Sequence, residues 1–159
     1  MKNRNAFTLI ELLVVVAVIA ILVITVLVGL KPAERLAEAR DARRSQDVNE
    51  ILQGVMQCAI DKKDTSNLNT CLGSHVIGKT YEIVTGSIAT GCNSVCVGVT
   101  AAFDCLTLDG NLSDYFINLP VDPNNSVNGH TGYSITNYSN GMVAIDACAA
   151  ENGPIKISR

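Results

Sequence analysis

Phe7-Thr8-Leu9-Ile10-Glu11-Leu12-Leu13-Val14-Val15-Val16-Ala17-Val18-Ile19-Ala20-Ile21-Leu22-Val23-Ile24-Thr25-Val26-Leu27-Val28-Gly29-Leu30 is a run in which only Thr8, Glu11, Thr25 and Gly29 fall outside the apolar class. As a helix it would measure about 36 Å, against roughly 30 Å of bilayer hydrocarbon, so it can span with modest tilt. A removable secretory signal has an apolar core of only about 7 to 15 residues followed closely by a small-x-small site. The nearest such triplet, Ala37-Glu38-Ala39, lies beyond a charged stretch.

Working outward, the chain of 159 residues is 48% apolar, and that average mixes two solvents. Outside the run the apolar share is that of one ordinary soluble domain. The composition argues against a fully soluble protein, against a multi-span protein, which needs several such runs, and against a disordered chain. A formal net charge of −3 argues against nucleic acid as a partner, because binding phosphates requires an excess of Lys and Arg.

All six cysteines, Cys58, Cys71, Cys92, Cys96, Cys105 and Cys148, follow the run. An even count in a small domain beyond a membrane segment points to disulfides and an oxidising compartment. Lys2 and Arg4 precede the span, while Lys31, Arg35, Arg40, Arg43 and Arg44 follow it. Counting cations would therefore put the wrong end inside. The cysteines decide the orientation: the domain lies outside and the short N-terminal tail is cytoplasmic.

Glu11 is the anomaly of the span. A carboxylate at bilayer depth costs about 2.5 to 3.5 kcal/mol on insertion scales, so it requires a hydrated interface or a cation. Lys2-Asn3-Arg4-Asn5-Ala6 followed by Phe7-Thr8-Leu9-Ile10-Glu11-Leu12-Leu13-Val14-Val15 resembles the prepilin leader and cleavage motif of type IV pilins and type II secretion pseudopilins. The resemblance implies a prepilin peptidase that cuts on the cytoplasmic side between Ala6 and Phe7 and methylates the new Phe7 amine. Ala6 stands where the family usually has Gly. It also implies that Glu11 meets the Phe7 amine of a neighbouring subunit, so that assembly buries a neutralised pair. Within one chain the new amine would lie four residues before Glu11, about 5 to 6 Å away on the same helix face.

Gly29 and Pro32 sit where the span ends, a pair able to kink a helix without ending it. Residues 33–47 are strong helix formers with interleaved charges, and Arg43 and Asp47 stand at i,i+4. Val48, Ile51, Leu52, Val55, Met56, Ala59 and Ile60 then recur at helical spacing, which predicts an apolar stripe on a helix running to about Asp61. Arg35, Arg40, Arg43 and Arg44 alternate with Glu34, Glu38, Asp41 and Asp47. They read as a solvated helical face or as inter-subunit salt bridges, not as a DNA-binding patch.

Beyond Asp61 the pattern changes to turns and short alternating runs. His75 to Val84 and Val95 to Thr100 read as strand regions, the latter with Val95, Val97 and Val99 on one face. Tyr133 to Tyr138 and Met142 to Cys148 read as a hairpin turning at Ser139-Asn140-Gly141. Asp64 to Asn69 and Asp122 to Gly132 read as loops, and Leu112 to Leu119 as a short helical turn. Leu119-Pro120-Val121-Asp122-Pro123 resembles a segment of many pseudopilins.

Cys58 and Cys71 make the most plausible local bridge, worth about 3 kcal/mol. The other four cysteines allow three pairings, of which Cys105 with Cys148 would tie the loop region to the hairpin. Zinc is disfavoured, because Cys92 and Cys96 are not at C-x-x-C spacing. Asp109 to Asp114 begins like an EF-hand but carries Asp114 at the sixth position and Pro120 at the twelfth. The oxygen-rich loop from Asp122 to Asn128 reads as turn chemistry. His75 and His130 are the only histidines, and neither belongs to a catalytic motif. No enzyme activity, cofactor or metal is expected.

The expected fold is α+β and pilin-like: a long N-terminal helix, membrane-spanning in its first half, packed on a small antiparallel sheet. Residues 1–6 form the leader, 7–30 the transmembrane and assembly helix, 31–61 an amphipathic continuation, and 62–159 a disulfide-containing β-rich domain. The resemblance implies a single-pass bacterial inner-membrane precursor that becomes a cell-surface or periplasmic filament. Its partners would be membrane lipid before assembly, the prepilin peptidase, inner-membrane assembly machinery and further copies of itself. The alternatives are a type II secretion pseudopilin, or a minor pilin or membrane-anchored adhesin that binds a ligand.

Overall fold

The computed structural model describes residues 7–65, 67–86, 90–96, 98–124 and 129–159. The leader residues Lys2, Arg4 and Ala6, together with Val97 and residues 125–128 of the Asn-rich loop, lie outside the described residues. The chain divides into two compact units, 1–37 and 38–159.

In the first unit, α1 (Leu9–Leu30) starts at Thr8 with a reciprocal capping box. The Thr8 hydroxyl accepts from the Glu11 N–H while the Glu11 carboxylate takes the Thr8 N–H, satisfying two donors that a helix start would otherwise leave open. α1 ends at Leu30, Lys31 adopts a left-handed conformation (φ 43°), and α2 (Pro32–Lys62) begins at Pro32. Proline suits that first position, because its missing N–H is one the helix would not use.

The second unit is built around the rest of α2. Its enclosed positions, Arg44, Asp47, Val48, Ile51, Leu52, Val55, Cys58 and Ala59, repeat every three or four residues and so form one face. The remaining elements are α3 (Asn69–Leu72), β1 (Thr80–Val84), α4 (Cys92–Val95), β2 (Cys105–Thr107), β3 (His130–Asn137), β4 (Val143–Ala147) and β5 (Ile155–Ser158). The sheet runs β2-β1-β3-β4-β5. The α2 face packs with Leu68, Leu72, Ile83, Leu106, Leu108, Leu112, Tyr133, Ile135, Val143 and Ile145 in one core. Phe116 covers α2 at Gly54, where any β-carbon would overlap its ring. A second, smaller core holds Val84, Cys92, Cys96 and Val99, flanked by Cys105 and Cys148.

The layout is α+β and pilin-like, with three departures from the sequence reading. The sheet is mixed, because β1 and β2 pair in parallel while the other neighbours are antiparallel. The connection 85–104 is long enough to carry the chain back to the start of β1, which a parallel pair requires. Among the described residues of Val95 to Thr100 there is no strand: Val95 closes α4 and Val99 is buried in the small core with Cys92 and Cys96. Only Thr80–Val84 of the His75 to Val84 region is strand. Gly78, at φ 83°, turns the chain there and donates its N–H to the Asn137 carbonyl. Within Leu112 to Leu119 a single helical turn forms, as expected, with the Tyr115 and Phe116 N–H groups bonded to the Leu112 carbonyl. The β3–β4 hairpin lies where the alternation puts it, and Gly141 takes φ 80° in its turn.

Cys58 pairs with Cys71, Cys92 with Cys105, and Cys96 with Cys148. The pairing of Cys105 with Cys148 is thereby corrected. Cys105 begins β2 beside β1, within reach of the first residue of α4, and Cys148 follows β4 and bonds the Gly132 carbonyl of β3. One turn of α4 presents Cys92 and Cys96 to these two different places, a proximity that spacing does not encode.

Candidate assembly site

Of the residues marked by the sequence for processing and assembly, Phe7 and Glu11 are described at the start of α1, with Thr8 between them. Glu11 Oε2 accepts from the Thr8 N–H at 2.8 Å and from the Thr8 hydroxyl at 2.7 Å. The helix beyond them has no buried side chain. Phe7 is 77% exposed and Leu9 82%. Threonine is one of the short polar residues that start a helix well and reach its third residue, and Glu at that third position completes the capping box, so the local sequence holds the carboxylate against the helix start. Gly29 stands where an added β-carbon would meet only open space. The helix is long and apolar enough to cross a membrane. In water such a surface would demand burial, and only lipid or other apolar helices offer it.

In the second unit, Arg44 and Arg40 of α2 correct the reading of a solvated or inter-subunit face, whereas Arg43 stays exposed. Arg44 is fully enclosed and serves three carboxylates of its own chain. Its Nε and Nη2 donate to Asp122 at 2.6 and 3.1 Å, and its Nη1 to Asp41 at 2.8 Å and Glu151 at 2.9 Å. Arg40 forks onto Glu151 at 2.6 and 2.5 Å. The planar guanidinium can meet two carboxylate oxygens at once, which suits it to a buried ion pair better than lysine. The cluster ties α2 to Asp122 before β3 and to Glu151 between β4 and β5. Asp122, in the loop read as turn chemistry, is thus an internal counter-ion. Its signal was visible: Arg44 lies one turn before Val48 on the buried stripe.

These contacts set the charge states. The Arg40 and Arg44 guanidinium groups hold the Glu151 carboxyl at about 2. Burial pushes the Asp41 carboxyl up, but the Glu151 N–H, the Arg44 side chain and Asn152 outweigh it and bring it to about 2. Nearby, the Tyr133 hydroxyl donates to Asp47 at 2.6 Å. Burial first, and then that carboxylate, push the phenol far above its usual range.

Both histidines stand in hydrogen-bonded settings. His75 Nδ1 meets the Gly73 carbonyl at 2.9 Å and its Nε2 meets the Asn137 amide at 3.0 Å. His130 Nδ1 lies 2.9 Å from Glu82 Oε2, both side chains being buried. Burial raises the Glu82 carboxyl, and His130 opposes the rise. Cys92 lies beside this pair, and the ligand atoms of Glu82, Cys92 and His130 fall within 4.8 Å of one another. Because the Cys92 sulfur is committed to Cys105, it is neither a nucleophile nor a thiolate ligand in this form.

Residues 1–27 match the prokaryotic N-terminal methylation motif. That motif is the prepilin signature of type IV pilins and pseudopilins, and it covers the leader, Phe7, Glu11 and most of α1. It belongs to structural subunits rather than enzymes, and with the apolar α1 it fits an inner-membrane-anchored precursor. No curated protein and no solved structure matches the chain.

Proposed function

We propose that this protein is the structural subunit of a type IV pilus-like filament, cut between Ala6 and Phe7, methylated at Phe7 and polymerised through α1. The observation that carries the reading is α1 itself: a helix with no buried residue whose one carboxylate, Glu11, sits one turn from the expected new amine at Phe7. Lipid covers α1 before assembly and neighbouring copies of α1 cover it afterwards. Glu11 then exchanges its bonds to Thr8 for the amine of a neighbour, because a charge kept in hydrocarbon without a partner is costly. The leader and its positive charges leave with the peptidase step, and the mature chain carries a net charge of −5 after loss of Lys2 and Arg4 from the −3 of the full chain.

A pseudopilin of a type II secretion system is the second reading, favoured by the Leu119 to Pro123 element, whose Asp122 holds Arg44. Sequencing the protein from cells tests the common premise: the expected start is methylated Phe7, and an uncut Met1 start would remove it. Glu11→Ala is expected to insert into the membrane normally yet abolish filaments, with wild-type filament numbers as the contrary result. Shearing the cells separates the two readings, since a surface filament is released and a pseudopilin is retained.

A further inference from the structure

The buried group around Glu82 is not used by filament assembly, and its chemistry is that of a ligand site closed by a disulfide. Glu82 is fully enclosed on β1; His130 meets its Oε2 and the Gly132 N–H favours its charged form, while its Oε1 makes no hydrogen bond among the described residues. Leaving a carboxylate oxygen buried without a partner costs free energy, so the position calls for a cation or a donor at some stage of the protein's life. Its register neighbour on β2 is Cys105. On β3 the register shifts between Glu82 and Val84, and this brings His130, opposite Val84, alongside Glu82. Gly91, at φ 89°, turns the chain into α4 and sets Cys92 over the pair. A β-carbon at Gly91 would touch the His130 ring at 3.7 Å.

We propose that, once the Cys92–Cys105 disulfide is reduced, Glu82, Cys92, Cys105 and His130 bind one zinc-class divalent ion, so that disulfide and metal are alternative cross-links of β1, β2, β3 and α4. Two thiolates, an imidazole and a carboxylate make a four-ligand set of the kind zinc takes, and the sulfurs disfavour calcium and magnesium. Metal–ligand bonds of about 2.0 to 2.3 Å place donor atoms of a tetrahedral site roughly 3.3 to 3.8 Å apart. The donor atoms of Glu82, Cys92 and His130, within 4.8 Å of one another, need only a small inward shift. The unpartnered Glu82 oxygen then acquires a cation.

The reductant is a dithiol. Its first thiolate attacks the sulfur of Cys105, which is partly exposed, and expels the buried Cys92 as a thiolate. Its second thiol resolves the mixed disulfide, releasing Cys105 and leaving as a cyclic disulfide, so two electrons pass to the protein. At neutral pH the freed cysteines rest mainly as thiols, so binding the ion as thiolates releases up to two protons to solvent. Oxidation by a disulfide donor reverses the sequence and expels the ion.

The test uses the full chain in detergent, reduced with dithiothreitol, desalted without oxygen and titrated with cobalt chloride. The expected result is one cobalt per chain with tetrahedral d–d bands and a thiolate charge-transfer band, displaced by zinc chloride and absent from the oxidised chain. Glu82→Gln and His130→Ala are each expected to weaken binding by more than about 100-fold. Independently of any variant, zinc should slow alkylation of Cys92 and Cys105 in the reduced wild-type chain while Cys58, Cys71, Cys96 and Cys148 react as they do without metal. Absent cobalt bands, unchanged affinity in His130→Ala, or protection shared equally by all six cysteines would overturn the proposal. So would loss of the near-ultraviolet dichroism of the reduced chain in the presence of zinc, because the ion is required to hold the loop.

Discussion

Helix α1 buries none of its apolar side chains, whereas the domain from Glu38 onward buries charges: Arg44 and Asp122 with almost no exposure, and Glu82 beside His130. The first region leaves its strongest driving force unspent within one molecule. The second gathers ions and cross-links into a small core, where every partner must come from the same chain. Each part is suited to different surroundings: α1 to being covered by lipid or by other subunits, the domain to keeping its shape whatever α1 is touching.

Substitutions that remove a partner from the domain are expected to break this contrast most strongly. Arg44→Ala leaves Asp122, Asp41 and part of Glu151 without their cation and should cost about 3 to 5 kcal/mol. The check is guanidinium unfolding of the full chain in detergent, followed by near-ultraviolet dichroism. Arg44→Lys should recover only part of the loss, since an ammonium cannot reproduce the fork onto Asp122. Full stability in Arg44→Ala would show that the clasp is ornamental.

Removing the Cys96–Cys148 bridge as the double alanine variant should cost about 4 kcal/mol, and removing Cys58–Cys71 about 3 kcal/mol, by the chain-entropy relation. The difference arises from sequence separations of 52 and 13 residues. Equal costs would locate the stabilisation in local contacts instead of loop closure.

Acid probes the same clasp. In the folded domain Glu151 and Asp41 are held at about 2, below ordinary values of 4.5 and 3.8. Their contribution is therefore complete above about pH 4.5 and disappears as the pH falls toward 2. An acid titration of the unfolding midpoint should decline through that window, and Glu151→Gln should flatten part of the decline. A midpoint independent of pH down to 2 would contradict the assignment.

The smallest effect belongs to α1. Val15→Ala, which alters an exposed residue, should move the domain's unfolding by less than about 0.5 kcal/mol. A larger shift would mean that the domain depends on α1 after all.

Legibility in the sequence followed the range of the interaction. The capping residues Thr8 and Glu11, the buried stripe from Val48 to Ala59 and the Asn140-Gly141 hairpin turn are all local patterns, readable within one turn or one strand. β5 had a readable signal too, since Ile155-Lys156-Ile157-Ser158 alternates in exposure, although four residues at a chain end give little periodicity. The cysteine pairs beyond Cys58–Cys71 and the parallel β1–β2 pair depend on how the connection 85–104 closes on the sheet, and no spacing specifies that.

By itself the sequence determined that one apolar segment needs lipid or other helices, that Glu11 is its exceptional charge, and that a cysteine-bearing α+β domain follows. These follow from hydropathy and helical periodicity, which act along the chain. It took the packed fold to turn Arg44 inward to its carboxylates, to bring Cys96 to Cys148, and to gather Glu82, His130 and Cys92. Arg44 with Asp122 and Glu151, Cys96 with Cys148, and Glu82 with His130 are pairs far apart in the chain, and their proximity follows from the packing of α2 and the connecting loops with the sheet.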